Sequence, residues 1–468
     1  MGKIRFGTDG WRGITADDFT FAALRKVSGA VAAYINEENL QSRGIVIGYD
    51  TRFLAERFAA VVAKEMQKQG IKVYFCTEAT PTPVVAFGIL HKKAGGAVML
   101  TASHNPPEYM GFKFIPQYAG PALPQITDRI TALLESGEIF SCPPGCGGKL
   151  EEVNFKDSYF DYISSRVNLG KIKDAGLRFV VDPMHGAGIG YLEGILSGLG
   201  LDILALHNWR DPLFGGSMPE PREDLLTELI ARVRSEHRDM GLALDGDADR
   251  FGIVDSLGQY ISPNQVLCLL FRYLVEVRGL RGPVARTVAT TTLLDRMARN
   301  YGLDVIETPV GFKYQGQAML NQGAILAGEE SGGLSVLGHV PEKDGILACL
   351  LMAEVTAYYG KPLSQVLEDI YDQYGHVHTQ RLDFRCPAEK KQTTIELLEQ
   401  FAPSNIHGVP VLDIITIDGW KYLLADGSWL LVRASGTEPV FRIYGEAKDK
   451  DTLSQLQQSL ANLLELAD

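Results

Sequence analysis

Four times in this 468-residue chain a short apolar run ends on a loop crowded with hydroxyls, carboxylates or glycine. Ala97-Val98-Met99-Leu100 leads into Thr101-Ala102-Ser103-His104-Asn105-Pro106-Pro107. Gly241-Leu242-Ala243-Leu244 leads into Asp245-Gly246-Asp247-Ala248-Asp249-Arg250. Ala324-Ile325-Leu326-Ala327 precedes Gly328-Glu329-Glu330-Ser331-Gly332-Gly333, and Trp429-Leu430-Leu431-Val432 precedes Arg433-Ala434-Ser435-Gly436-Thr437-Glu438-Pro439. Short apolar runs bounded by turn residues read as buried strands. In open α/β sheets, ligands sit outside the carboxyl ends of the strands. Four such loops predict four domains, each turning one loop toward a shared cleft.

The rest of the chain supports that division. Phe21, Leu24, Val27, Val31 and Ile35 recur at helical spacing after the cap candidates Asp17 and Asp18. Ile45-Val46-Ile47-Gly48-Tyr49 reads as a strand, and Phe58, Val61, Val62 and Met66 mark a helix that Gly70 stops. The alternation predicts an α/β fold of four domains. Three are similar mixed α/β sandwich domains with mostly parallel sheets, and the last is a smaller α+β domain. The expected spans are 1–147, 148–256, 257–374 and 375–468. The first boundary falls in the Pro/Gly-rich linker Cys142-Pro143-Pro144-Gly145-Cys146-Gly147-Gly148. A hinge for the last domain is expected near Tyr374-Gly375-His376.

Composition excludes several function classes. Hydrophobic content of 46% and charged content of 22% suit a soluble globular protein. A net charge of −12 without a basic stripe argues against nucleic-acid binding. A phosphorylated ligand would then need Arg and Lys gathered locally in a cleft. No apolar segment reaches the roughly 20 residues that span a bilayer. Met1-Gly2-Lys3-Ile4-Arg5-Phe6-Gly7 shows no apolar leader, and six cysteines in so long a chain make no disulfide framework. The expected setting is cytoplasmic and reducing, with Cys142 and Cys146 as two ordinary thiols and a reversible disulfide as the alternative. Oligomeric state is not readable from these residues.

The loops carry distinct chemistry. Pro106-Pro107 ends regular structure, so Ser103 is expected on a stiff turn, beside His104, as a nucleophile candidate. Asp245, Asp247 and Asp249 alternate as hard-cation ligands do. An EF-hand needs Gly at its sixth position and Glu at its twelfth; counting from Asp245, Arg250 and Ser256 stand there. Serine plus cation points to phosphoryl transfer, with Mg²⁺ held jointly by carboxylates and a phosphate on Ser103. Arg433, Ser435, Gly436 and Thr437, with Arg442 nearby, form a phosphate cradle of guanidinium fork, hydroxyls and glycine. Glu329 and Ser331 can accept from and donate to sugar hydroxyls.

Taken together, Gly7-Thr8-Asp9-Gly10-Trp11-Arg12-Gly13 and the four loops resemble the α-D-phosphohexomutases over essentially the whole chain. The resemblance implies an isomerase whose Ser103 carries the transferable phosphoryl group. It implies one Mg²⁺ on Ser103, Asp245, Asp247 and Asp249, and glucose 1,6-bisphosphate as intermediate and activator. Arg12, Lys113 and Arg250 match charged residues around the reacting phosphate, with His104 at the same loop. Glu329 and Ser331 match the sugar-binding pair, and Arg433, Ser435, Gly436, Thr437 and Arg442 the grip on the other phosphate. The partner is then a hexose phosphate.

Within that family the sugar loop resembles phosphoglucomutases. Glu330 and Gly333 stand where mannose-phosphate enzymes usually have Met and His, and glucosamine-phosphate enzymes usually have Gln at the place of Glu330. Thr308-Pro309-Val310-Gly311-Phe312-Lys313 and Glu342-Lys343-Asp344-Gly345 fit the glucose group. This resemblance brings Gly311 and Lys313 into the substrate site and makes Lys343 the general base, expected among other cations. The alternatives are a dual-specificity phosphomannomutase and a glucose 1,6-bisphosphate synthase.

Overall fold

The structure, a computed structural model, describes residues 4, 10–137, 147–434 and 440–466. The first sheet runs in the order Trp11–Ile14, Tyr109–Pro116, Gly96–Leu100, Ile45–Tyr49, Val73–Cys76, Leu150–Val153. Its last three pairings are parallel and its first two antiparallel. Every residue of Ile45–Tyr49 and of Gly96–Leu100 is buried, as expected of strands covered on both faces by helices. The second sheet runs Tyr260–Ile261, Phe251–Asp255, Met240–Leu244, Phe179–Asp182, Ile203–Ala205; the third runs Val305–Thr308, Val284–Thr287, Leu326–Gly328, Leu334–Val336. Each mixes parallel and antiparallel pairs. The fourth is wholly antiparallel, with His378–Arg385 and Val440–Ala447 at one side. Three mixed α/β domains and a C-terminal α+β domain are thus present.

Particular elements differ from the sequence expectation. The first sheet extends past residue 147, because Leu150–Val153 pairs with Val73–Cys76. The second extends past 256 to Tyr260–Ile261. Thr20, not Asp17 or Asp18, caps the helix Phe21–Glu37, its side chain accepting from the N–H of Ala23. The aspartates instead occupy the tight turn whose N–H groups donate to the Ile14 carbonyl. Among the described residues, no helix is long and apolar enough to cross a membrane. The linker cysteines Cys142 and Cys146 lie outside the described residues.

One helix joins the domains. Gly345–Tyr359 is buried along nearly its whole length and packs between the second sheet and the helices Pro263–Glu276 and Leu169–Ala175. A helix that is apolar all round is stable only with protein on every side. Its N-cap, Asp344, accepts from the N–H of Leu347, and Asp344 Oδ2 also meets Tyr159 and His339. Lys343 therefore sits on a rigid corner where the second and third domains meet.

The last domain docks on the third. Glu446 is buried and accepts from the Thr291 and Thr292 hydroxyls and from Trp429 Nε1. Lys421 Nζ reaches Glu307, which also binds Arg286. Val288, Ala289, Trp429, Leu431 and Tyr444 close the seam with an apolar cluster. Glu446→Ala strands four donors in this interface, the Thr292 N–H included, and is expected to lower unfolding stability by about 2–3 kcal/mol. A fall in the denaturant midpoint checks this; an unchanged midpoint contradicts it.

Candidate active site

Ser103 lies just past the strand Gly96–Leu100, buried, with a φ of 52°. A left-handed conformation in a residue with a Cβ persists only when its surroundings over-determine it. Ser103 N–H donates to Thr101 Oγ1 at 2.8 Å. Its hydroxyl donates to Asp245 Oδ2 at 3.0 Å, and its Oγ lies 3.3 Å from His104 Nδ1. Burial, with Arg250 and Arg12 nearby, holds the His104 pKa well below the usual imidazole value. His104 is therefore neutral at pH 7 and can exchange a proton with the serine.

Asp245, Asp247 and Asp249 follow the strand Met240–Leu244 and are fully buried. One oxygen from each lies within 4.8 Å of the others. Burial, then Asp247 and Asp249, pushes the Asp245 carboxyl well above the ordinary range. Burial would raise Asp249 too, but Lys343, Lys113 and Arg250 together hold it down. Domain I supplies partners for this loop. Thr82 Oγ1 donates to Asp247 Oδ2 at 2.6 Å, and Lys113 Nζ lies 2.8 Å from the same oxygen and 3.3 Å from Asp249 Oδ2. Gly246 has to be glycine, since a Cβ there would stand 2.6 Å from the Ser103 carbonyl oxygen. Asp247 Oδ1 and Asp249 Oδ1 are buried without a hydrogen-bond partner. Two orphaned carboxylate oxygens beside a third carboxylate fit an oxygen-seeking divalent cation such as Mg²⁺.

Cations from three domains converge here. Arg12 Nη1 donates to Asn105 Oδ1 at 2.7 Å. Arg250 Nη1 pairs with Glu220 at 3.2 Å, while its buried Nε has no partner. Lys343 Nζ lies 3.1 Å from Asp249 Oδ2. Lys343 stands near the cations Lys113 and Arg250, but it shares the Asp249 carboxylate with Lys113, because three buried aspartates need neutralising. Burial pushes the neighbouring Glu342 up to about 8 despite Lys343 and Lys113.

The third and fourth domains meet at the sugar and phosphate loops. Gly311 N–H donates to Glu329 Oε1 at 3.0 Å and starts the helix Phe312–Gln322, which carries Lys313. Thr287 Oγ1 donates to Glu330 Oε2 at 3.1 Å. Ser331 follows, partly buried. Asp418 Oδ2 ties the two loops: it accepts from Val310 N–H at 2.9 Å and pairs with Arg433 at 2.8 Å. Arg433 stands directly across the ladder from Arg442. Like charges in that position repel and are stabilised by an anion. Ser435, Gly436 and Thr437 lie outside the described residues.

The structure thus brings Ser103, His104, Arg12, Lys113, Arg250, Lys343 and the three aspartates into one cluster. Glu329, Gly311, Arg433 and Arg442 belong to the neighbouring lobe. The sequence reading missed the side chains that hold these groups, namely Thr82, Asn105, Glu220, Asp418 and Arg52. Two of them carried a local signal, Asn105 within the Ser103-His104-Asn105 loop and Arg52 in Asp50-Thr51-Arg52 just past an apolar strand.

Comparison with known proteins agrees with this geometry. The models of phosphoglucomutase/phosphomannomutase alpha/beta/alpha domains I, II and III match residues 3–139, 157–258 and 262–374, and the C-terminal domain model matches 383–463. A phosphoglucomutase/phosphomannomutase of Thermococcus kodakarensis is 31% identical over 468 residues, covering 100% of this chain and 99% of the relative. A probable phosphoglucosamine mutase of Methanosphaera stadtmanae is 31% identical, covering 97% and 96%. The crystal structure of a putative phosphomannomutase from Thermus thermophilus superposes with a TM-score of 0.87 at 34% identity, over 99% of each chain.

Mg²⁺ is expected to raise the melting temperature, with a stabilisation of about 2.7 kcal/mol at a hundredfold excess over Kd. Asp247→Asn removes one of the two orphaned oxygens and should abolish that rise. A thermal shift of equal size in both proteins contradicts the assignment of the metal site.

Proposed function

This chain belongs to the phosphoglucomutase/phosphomannomutase family, and we propose that within it the protein interconverts glucose 1-phosphate and glucose 6-phosphate. It is a phosphohexomutase, an intramolecular phosphotransferase. The observation that carries the mechanism is the Ser103 hydroxyl, 3.0 Å from Asp245 and ringed by residues of opposite charge. Phosphoryl transfer depends on positioning and neutralisation of charge more than on covalent help from the protein.

In the cycle Ser103 starts phosphorylated. A sugar hydroxyl attacks the phosphorus, its new P–O bond forming as the bond to Ser103 Oγ breaks. Lys343 takes the hydroxyl proton. The resulting 1,6-bisphosphate turns end for end within the cleft. In the first transfer Ser103 Oγ leaves with a proton from Asp245 or His104; in the second it returns that proton as it attacks the other phosphate, and the sugar oxygen leaves with the proton from Lys343. Asp245, Asp247 and Asp249 would hold one Mg²⁺, which supplies charge neutralisation to the transferring group. Arg12, Lys113 and Arg250 serve the same phosphate. Arg433 and Arg442 grip the phosphate that is not reacting, and Glu329, Ser331 and Lys313 hold the sugar between.

Lys343 and Gly333 support glucose as the sugar. A Cβ at Gly333 would stand 2.3 Å from Lys343 Cδ, so the lysine lies across this position and leaves no room for a side chain. The backbone there has no positive φ, so packing alone accounts for the glycine. Glu330, held by Thr287, presents a carboxylate to the cleft beside Arg433. A second reading is an amino-sugar phosphate: relatives named probable phosphoglucosamine mutase are similar over almost the whole chain, and a carboxylate at 330 could pair with an ammonium.

With Mg²⁺ and glucose 1,6-bisphosphate priming, turnover of glucose 1-phosphate is expected to exceed that of mannose 1-phosphate and glucosamine 1-phosphate by at least about tenfold. Faster turnover of glucosamine 1-phosphate selects the second reading. Steady release of the bisphosphate selects a synthase. Lys343→Ala should lower kcat by about 10²–10⁴-fold. Gly333→Ala should act in the same direction by displacing the lysine, and wild-type kcat in either variant contradicts Lys343 as base.

A further inference from the structure

Arg52 is almost completely buried at the end of the strand Ile45–Tyr49, and its guanidinium donates to one loop. Nη2 donates to the carbonyls of Ser103 and Asn105, both at 2.6 Å. Nη1 donates to those of Pro106 at 2.7 Å and Tyr109 at 3.1 Å. Nε donates to Asp50 Oδ2 at 3.1 Å, and Asp50 Oδ1 accepts the Arg52 N–H at 2.9 Å. Phe214, from the second domain, lays its ring 4.9 Å from the guanidinium carbon. The same domain holds the backbone around Arg52: Arg210 donates to the carbonyls of Thr51 and Arg52, and Thr51 Oγ1 donates to the carbonyl of His185.

We propose that Arg52 is the positioning residue that fixes the Ser103 hydroxyl for phosphoryl transfer. The inference rests on the phosphoserine reading above. Pro106 and Pro107 lack N–H groups, so the loop cannot zip into a ladder and its carbonyls need another donor. Ser103 with φ at 52° adds backbone strain that the surroundings must hold in place. A planar fork with five donors matches four converging carbonyls and one carboxylate. These bonds leave the loop one geometry, the one that sets Ser103 Oγ against Asp245. A lysine ammonium has three donors on a mobile stem and cannot reproduce it. Misplacing a reacting atom by about 1 Å can lower a rate by about 10²-fold.

Arg52→Lys tests this by splitting kcat from KM. We expect kcat on glucose 1-phosphate to fall about 100-fold, with KM and the Mg²⁺-induced thermal shift as in wild type. The sugar and metal sites are built from other residues, so a positioning loss leaves both intact. Wild-type kcat in Arg52→Lys overturns the inference. So does a loss in which KM rises and the Mg²⁺ shift disappears, since Arg52 would then shape the whole site. If Arg52→Lys does not fold, Phe214→Leu removes the ring facing the guanidinium but keeps its bonds, and a smaller loss in kcat alone is expected; unchanged kcat there overturns the inference. A wild type that turns over no hexose phosphate overturns the phosphoserine reading and this inference with it. An active wild type matched by an equally active Arg52→Lys overturns the inference alone.

Discussion

Three carboxylates buried in one loop of the second domain are the constraint on which the rest of the structure depends. Asp245, Asp247 and Asp249 are inaccessible to water, and burying unpaired charge is expensive. Their neutralising partners come from elsewhere in the chain: Lys113 and the Ser103 and Thr82 hydroxyls from the first domain, Lys343 from the third. The aspartate loop therefore holds the domains in one arrangement. It also keeps the Oδ1 atoms of Asp247 and Asp249 without hydrogen-bond partners. The loop that ties the domains together is thus also the one whose free oxygens fit a divalent cation.

Other local departures from ordinary packing cluster around that loop. Ser103 sits in a left-handed conformation. Arg250 keeps a buried Nε without a partner. Arg433 and Arg442 oppose each other across a ladder. Each lies where the proposed mechanism would place a phosphate, at Ser103 or at the fourth domain. Such departures concentrate where a chain is shaped for a ligand rather than for stability. Asp418 links the sugar loop to the fourth domain, binding the Val310–Gly311 turn and Arg433 together. The distance between the sugar loop and the phosphate grip is set by this bridge and by the Glu446 seam.

Much of this was legible in the sequence, for a physical reason. Fully buried strands read as continuous apolar runs, and the chemistry lies just beyond them, so Ser103, the aspartates and Glu329 stood out locally. Elements with weaker apolar patterns did not. Tyr109–Pro116 carries Lys113 within a buried strand, and His378–Arg385 alternates exposed and half-buried residues at a sheet edge. Partnership at long range left no local signature either. Thr82 and Asp247 are 165 residues apart. Arg250 and Glu220 meet through a loop, and the pairing of Lys343 with Asp249 became visible only once the domains were assembled. Thr20 displaced the aspartate caps because the backbone bends one turn later than the charge pattern suggests.

The phosphoserine cycle requires that a phosphoryl group reside on Ser103 between turnovers. Mass spectrometry of peptides from protein incubated with glucose 1,6-bisphosphate and Mg²⁺ tests it directly. One phosphate is expected on the peptide containing Ser103, mapped to that hydroxyl and lost on adding excess glucose 1-phosphate. Phosphate on another residue, or an unmodified Ser103 in protein that turns over hexose phosphate, would contradict it.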